Sequence, residues 1–233
     1  MVSKLLVALV LASARVHAIP TDQHVLPPVE VNGVEDVRQA LKKAEIIPTV
    51  IDDFLPILSL DVEWSEKSYA SLGNTLKPKK LQDAPTVTLK VHKASTDICG
   101  SKIHFVVTLT DPDAPSRDDP KWSEMCHWIA AGLSVSTKLD LSTGKCSAAT
   151  LTKLDEIMPY KPPGPPEKTG KHRYVFLVFT PANGTTDELH LSKPSDRQHW
   201  GGDEEGHGVR DWAKENGLIP VAANFIYAQN KKQ

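Results

Sequence analysis

Three dense runs of β-branched and aromatic residues constrain the fold of this chain more than any other feature. They are Ile103–Thr110, His127–Leu133 and His172–Phe179. Runs of this length and composition predict strands that are buried on both faces, and such strands lie at the centre of a sheet. We therefore expect a sheet protein whose core is built on these three strands.

Weaker periodicities surround the three runs. Alternating apolar residues predict three further strands, Leu58–Trp64, Val87–Val91 and Val221–Tyr227. Apolar residues at helical spacing predict a helix over Val34–Ala44 that Asn32 caps, and the pattern of Val209–Glu215 predicts a short second helix. Strands without a regular alternation of helices favour a mostly β architecture with few, peripheral helices.

The composition excludes several classes of protein. Of the 233 residues, 40% are hydrophobic and 24% are charged, which excludes collagen-like, coiled-coil and wholly disordered chains. Lys and Arg number 27 against 29 Asp and Glu, so no overall basic charge indicates a nucleic-acid partner. Cys99, Cys126 and Cys146 are too few for a disulfide framework and lack zinc-site spacing, and any pairing among them stays open.

Residues 1–18 have the pattern of a secretory signal peptide. Lys4 precedes the apolar run Leu5–Ala12, and a small-residue ending follows. This run is too short to span a bilayer. We therefore expect cleavage between Ala18 and Ile19 and secretion to the extracellular space, with the vacuole or the cell wall as alternative destinations.

A single N-x-[ST] triplet begins at Asn183. Asn183 and Gly184 follow the third central run, and the Asn-Gly pair is typical of a surface turn between or after strands. We therefore expect Asn183 to be exposed and to be a candidate for N-glycosylation.

Two proline-rich loops flank the central strands. Asp111–Pro120 directly follows the first strand, and Pro159–Gly170 directly precedes the third. Rigid loops at strand ends commonly present functional groups. Five side chains in or beside these loops offer binding chemistry: Asp111, Asp113, His127, His172 and Tyr174.

Together these side chains predict a small anion receptor. Strand alternation puts His172 and Tyr174 on one side and Arg173 on the other, and His127 approaches the carboxylates if the first loop folds back. Imidazole and phenol groups donate to phosphate or sulfate oxygens, while a carboxylate holds a histidine in its donating tautomer. Backbone N–H groups near Gly164 add donors. If the histidines titrate near their usual pKa of about 6.5, protonation strengthens anion binding.

The same residues leave other interpretations open. Asp and His together ligate metals, but no dense metal-site spacing is present in the sequence. A hydrolase using His127 and His172 lacks a G-x-S-x-G elbow and an obvious nucleophile. The segment Gly164–Lys171 departs from a P-loop, since a strand rather than a helix follows it. Each histidine is also compatible with an ordinary buried or surface role. Three charged residues are assigned to ion pairs that hold the loops: Asp113, Arg117 and Arg173.

Two long segments resemble the signature segments of the phosphatidylethanolamine-binding protein family. They are Thr110–Pro120, followed by Glu124 and His127-Trp128, and Gly164–Phe179. The resemblance covers about residues 46–228. Two further stretches, Glu45–Pro56 and Arg197–Ala213, resemble the fungal branch of the family, which includes an inhibitor of carboxypeptidase Y.

This resemblance implies a mostly β fold with a central antiparallel sheet, a smaller second sheet and short peripheral helices. Together with the signal-peptide pattern and the proline-rich polar composition after it, the resemblance divides the chain into a signal peptide (1–18), an extended leader and helix (19–45), the family domain (46–228) and a polar tail (229–233). It implies a pocket for the phosphorylated headgroup of a phospholipid or a similar anion, without catalytic residues, metal or cofactor. By motif position, the pocket residues are Asp111, Ala114, Pro115, His127, Gly164, Pro165, His172 and Tyr174.

The sequence therefore predicts a secreted, non-enzymatic protein that binds a phosphate-containing small molecule or phospholipid headgroup. The alternative, implied by the fungal branch, is an inhibitor of a serine carboxypeptidase or another serine protease. In that branch the N-terminal segment takes part in inhibition, and cleavage before Ile19 gives this chain a different start, so inhibition ranks second. The pocket rim departs from many relatives at Trp122, Met125 and Cys126, and Cys126 is expected to pack as a small apolar residue.

Overall fold

A computed structural model describes residues 33–91, 103–140 and 145–232 of the chain. These described residues belong to one compact unit. Its helices are α1 (Val34–Lys43) and α2 (Val209–Glu215), with short 3-10 turns at Pro78–Lys80 and Gln198–Gly201. Its strands are β1 (Leu58–Ser65), β2 (Ser68–Tyr69), β3 (Asn74–Leu76), β4 (Thr86–Val91), β5 (His104–Asp111), β6 (Met125–Asp140), β7 (Lys145–Met158), β8 (Lys171–Pro181) and β9 (Leu218–Gln229).

The described strands form one nine-stranded sheet in the order β2-β1-β4-β7-β6-β5-β8-β9-β3. Neighbouring strands are antiparallel except for β3 and β9, which are parallel. The expected smaller second sheet is therefore wrong for the described part of the chain. The physical reason is that β4 pairs with β7, so that Thr88 lies opposite Thr150. This pairing joins β1, β2 and β4 to the central strands.

The three dense runs form the centre of this sheet, as predicted. Strand β5 pairs with β6 on one side and with β8 on the other. Every residue of β5 after His104 is buried, and so are eight consecutive residues of β8 from His172 to Phe179. Because both faces of these strands are covered, residues on alternating positions enter two different apolar clusters.

Each face of the sheet carries one of these apolar clusters. The first combines Val106, Val175 and Leu177 with residues of α1 and with the tryptophans Trp200 and Trp212. The second combines Val107, Leu109 and Phe176 with residues of β1 and β4. Cys126 is fully buried in the first cluster, which confirms its expected role as a small apolar residue.

The two helices lie where the sequence predicts them. Helix α2 has the predicted bounds, and α1 ends one residue early, at Lys43. The N-cap of α1 is Gly33, which makes no side-chain capping bond. The leader and its predicted cap Asn32, the signal peptide with its cleavage site between Ala18 and Ile19, and Cys99 lie outside the described residues. No helix within the described ranges is long and apolar enough to cross a membrane.

Candidate functional site

Asp111 is the last residue of β5, and its carboxylate starts the first proline-rich loop. The backbone N–H of Asp113 donates to Asp111 Oδ1 at 2.8 Å, a local turn in which the aspartate side chain replaces a backbone acceptor. Asp111 and Ala114 are buried, and Pro115 is half-buried beside them. This turn folds the loop back over the end of the sheet, as the anion-receptor prediction required.

His172 and Tyr174 reach Asp111 from the adjacent strand β8. The Nδ1–H of His172 donates to Asp111 Oδ2 at 2.9 Å, and its Nε2 is hydrogen-bonded to the Thr169 hydroxyl at 3.0 Å. The rings of His172 and Tyr174 lie nearly parallel, with centroids 6.4 Å apart. Burial raises the pKa of Tyr174 well above its usual value of 10, and the charge of Asp111 acts in the same direction. The Tyr174 hydroxyl is therefore a hydrogen-bond donor rather than a base.

His127 lies near the start of β6 and faces the same cluster. Its Nδ1–H donates to the Lys161 carbonyl at 2.8 Å, and its ring stands edge-on to Tyr174 at a centroid distance of 5.2 Å. Burial lowers the pKa of His127 from 6.5 to about 4, although the charge of Asp111 opposes this shift. His127 is therefore neutral near pH 7, and the expectation that it protonates near 6.5 is corrected by its burial.

The second proline-rich loop closes the remaining side of the cluster. The backbone of Gly164 hydrogen-bonds to Tyr174, and Pro165 is buried beside it. The Pro165 carbonyl accepts from Asn230 Nδ2 at 3.1 Å, so the end of the chain holds this loop. The structure thus places five of the predicted pocket residues in one contact network, with Pro165 next to Gly164 in the second loop and with Ala114 and Pro115 in the first loop.

Arg173 points to the opposite side of β8 and forms the buried ion pair expected for it. Its guanidinium donates to Asp113 Oδ1 at 2.6 Å and to the carbonyls of Ala44 and Glu45 at 3.0 and 2.9 Å. Arg117 donates to Glu45 Oε2 at 2.6 Å. The assignment of these charges to structural pairs is confirmed, and they connect the first loop to the end of α1.

Several residues that hold the site escaped the sequence prediction. Thr169 and Lys161 contact the two histidines directly, and Arg197 donates to the backbone of β6 beside His127. Glu124 is fully buried, and its Oε2 accepts from the Thr110 hydroxyl at 2.9 Å. The only sequence signal for Glu124 was its place in the first signature segment, and that for Arg197 was its place in the stretch Arg197–Ala213; neither resemblance indicates which groups these side chains contact.

Two remaining sequence predictions concern the exposure of Asn183 and the binding of a metal ion. Asn183 is exposed in a turn that the Gly184 N–H closes on the Pro181 carbonyl at 3.1 Å, as expected for an Asn-Gly pair. Among the side chains that the structure describes, no group of three or more His, Cys, Asp or Glu residues could hold a metal ion.

Comparisons with known proteins agree with this fold and site. The family model described as phosphatidylethanolamine-binding protein matches residues 66–226. The carboxypeptidase Y inhibitor of Saccharomyces cerevisiae is 36% identical over 208 residues, which cover 82% of this chain and 93% of that protein. The fold and site define a β-sheet protein with a cluster of buried polar side chains beside the end of its central strand β5. The chain belongs to the phosphatidylethanolamine-binding protein family.

Solved structures give the same result. The crystal structure of carboxypeptidase Y inhibitor complexed with its cognate proteinase superposes with a TM-score of 0.76 at 33% identity, covering 87% of this chain and 98% of that one. The phosphatidylethanolamine-binding protein from Plasmodium vivax superposes with a TM-score of 0.61 over 83% of this chain. Its identity is only 17%, so this second likeness concerns the fold alone.

Proposed function

We propose that this protein is a non-enzymatic binding protein whose pocket takes a small phosphorylated anion such as a phospholipid headgroup. The observation that carries the proposal is the Nε2 atom of His127. No described residue bonds this nitrogen, yet no buried side-chain nitrogen or oxygen in the described ranges lacks a partner. Nε2 therefore has some exposure to solvent, although His127 as a whole is only 4% exposed.

The internal bonds prepare the cluster for an anion by offsetting the charge of Asp111. That carboxylate accepts from the Asp113 N–H and the His172 ring, and it is hydrogen-bonded to Tyr174. Spreading one negative charge over three donors reduces its repulsion of an incoming phosphate. Neutral His127 carries its proton on Nδ1, so Nε2 accepts either from the P–OH group of a protonated phosphate or from the ammonium group of an ethanolamine headgroup.

The same geometry favours binding over catalysis. The high pKa of Tyr174 opposes a role as nucleophile or base, and both ring nitrogens of His172 are engaged by Asp111 and Thr169. A rigid, buried set of partners costs little to organise when a ligand binds.

We also infer secretion from the pattern of residues 1–18. The mass of the secreted chain would check this inference, since a product that retains residues 1–18 would overturn it.

His127→Ala is expected to weaken the binding of phosphorylethanolamine at least tenfold, about 1.4 kcal/mol. The reason is the loss of the one accessible ring nitrogen in the cluster. Isothermal titration calorimetry with phosphorylethanolamine and with inorganic phosphate measures the effect, and the two ligands separate headgroup from phosphate recognition. His190→Ala is the control, because His190 is exposed and outside the cluster. Equal affinities for wild type and His127→Ala would refute the pocket assignment.

A second candidate function is inhibition of a serine carboxypeptidase. It is supported by the similarity to the yeast carboxypeptidase Y inhibitor along 93% of that protein. We expect the chain that starts at Ile19 to slow peptide hydrolysis by yeast carboxypeptidase Y at micromolar concentration. The chain that starts at Met1 is the matched control, because it differs only in its N-terminal segment. Unchanged hydrolysis with both chains would exclude inhibition of this enzyme.

A further inference from the structure

Arg197 connects two segments of the anion pocket from outside. Its Nη1 donates to the carbonyls of Cys126 and His127 at 3.1 and 3.3 Å, and its Nη2 donates to the Pro159 carbonyl at 2.8 Å. The backbone is held in the other direction as well, since the Cys126 N–H donates to the Arg197 carbonyl at 2.7 Å. One half-buried side chain therefore joins the start of β6 to the start of the second proline-rich loop.

These two segments are the ones that orient His127. Its backbone carbonyl accepts from the Lys161 N–H at 2.7 Å, and its Nδ1–H donates to the Lys161 carbonyl at 2.8 Å. Lys161 is two residues after Pro159, which Arg197 holds. A shift of the loop relative to β6 would move the Lys161 carbonyl and rotate the imidazole with it.

The chemistry of the guanidinium suits this task. Arginine presents five N–H donors in a rigid plane, so one side chain serves three carbonyls at fixed angles. Lysine carries the same charge on a flexible stem and cannot reproduce that geometry. Substituting lysine therefore separates the effect of position from the effect of charge.

Charge is a second link between Arg197 and His127. The titratable groups that act on His127 are Asp111, Lys161 and Arg197. Asp111 favours the protonated ring, whereas Lys161 and Arg197 disfavour it. Removing the Arg197 charge should raise the pKa of His127 above its value of about 4.

We propose that Arg197 is a positioning residue of the anion pocket, which aims the accessible nitrogen of His127 without touching the ligand. The inference deepens the proposed function and rests on it. Arg197 belongs to the late segment Arg197–Ala213, to which anion binding had assigned no role.

The test uses Arg197→Lys and Arg197→Ala in the full chain, with two measurements. Calorimetry at pH 7.5, where His127 is neutral, gives the affinity for inorganic phosphate. Nuclear magnetic resonance titration of the His127 ring gives its pKa without any ligand. We expect Arg197→Lys to bind phosphate about tenfold more weakly with the pKa of His127 unchanged. Arg197→Ala should weaken binding at least as much and raise that pKa.

Arg210→Ala is the matched control. Arg210 is also half-buried and holds a loop through carbonyls, those of Pro48 and Thr49 at 3.2 Å, but away from the pocket. The Arg210→Ala variant should bind phosphate as tightly as wild type does. Wild-type affinity in Arg197→Lys would overturn the positioning role, as would an equal loss in Arg210→Ala. If wild type binds neither inorganic phosphate nor phosphorylethanolamine, the proposed function fails. The resonance measurement needs no ligand and so tests the positioning role independently. If both Arg197 variants leave the chemical shift and the pKa of the His127 ring as in wild type, the positioning role is rejected.

Discussion

Asp113→Ala is expected to lower the free energy of unfolding by about 3–5 kcal/mol, the usual cost of removing one partner from a buried ion pair. Arg173 is only 7% exposed, and Asp113 is 1% exposed. The substitution leaves the guanidinium buried with two carbonyls of residues 44 and 45 as its remaining partners. It also removes the acceptor of the Arg173 backbone N–H, at 2.7 Å. Urea denaturation at pH 7 measures the loss.

Two comparisons make this expectation specific. Asp52→Ala removes a carboxylate from the exposed pair with Arg210, in which Asp52 is 80% exposed, so its cost should be below about 1 kcal/mol. The double substitution Asp113→Ala with Arg173→Met should recover part of the stability, because no unpaired charge stays buried. If Asp113→Ala and Asp52→Ala lose the same free energy of unfolding, burial does not determine how much the Asp113–Arg173 ion pair contributes to stability.

The centre of the sheet was predictable because burial on both faces leaves a strong compositional signal. The runs at β5 and β8 are dominated by β-branched and aromatic residues, and their polar residues lie mainly towards one end of each strand. Strand β7 has no such signal, since Lys153, Asp155 and Glu156 interrupt its apolar residues. The expected second sheet was wrong for a related reason. Whether β4 pairs with β7 depends on long-range register, which the periodicity of either strand does not encode.

The candidate site was predictable to the level of its side-chain types. Alternation along β8 correctly separated His172 and Tyr174 from Arg173, which faces Asp113 on the other side. The orientation of His127 was not predictable, because it depends on the backbone carbonyl of Lys161, and every residue type has one. Its low pKa was missed because burial depends on the folded packing around the ring.

Glu124 is a buried carboxyl group that should make the protein less stable as the pH rises. Its Oε2 accepts from the Thr110 hydroxyl at 2.9 Å, which in turn accepts from Trp200 Nε1 at 3.0 Å. The carboxyl group packs so closely on Gly208 that a Cβ there would lie 2.2 Å from it. Burial raises the pKa of Glu124 from 4.5 to about 8, so the folded protein keeps this group protonated near pH 7.

Glu124→Gln is expected to be more stable than wild type at alkaline pH and similar to it near pH 4.5. Between pH 4.5 and 8 the folded wild type binds a proton that the unfolded chain has released, so its stability falls as the pH rises. A difference of 3.5 pKa units sets a ceiling of about 5 kcal/mol on the gain at pH 8.5. Glutamine has nearly the same shape and does not titrate.

Urea denaturation of wild type and Glu124→Gln at pH 4.5, 6.5 and 8.5 measures this gain. Acid destabilisation through His127 cancels in the comparison, since both proteins retain that ring. Between pH 6.5 and about 4, His127 binds a proton in the unfolded chain but stays neutral in the folded protein. Wild type and Glu124→Gln therefore both lose stability as the pH falls through this range. Glu167→Gln, at an exposed surface pair with Lys232, should show little pH-dependent change. If the stability gain of Glu124→Gln is the same at all three pH values, Glu124 has the same pKa in the folded and the unfolded protein. That result would contradict the expected loss of wild-type stability with rising pH.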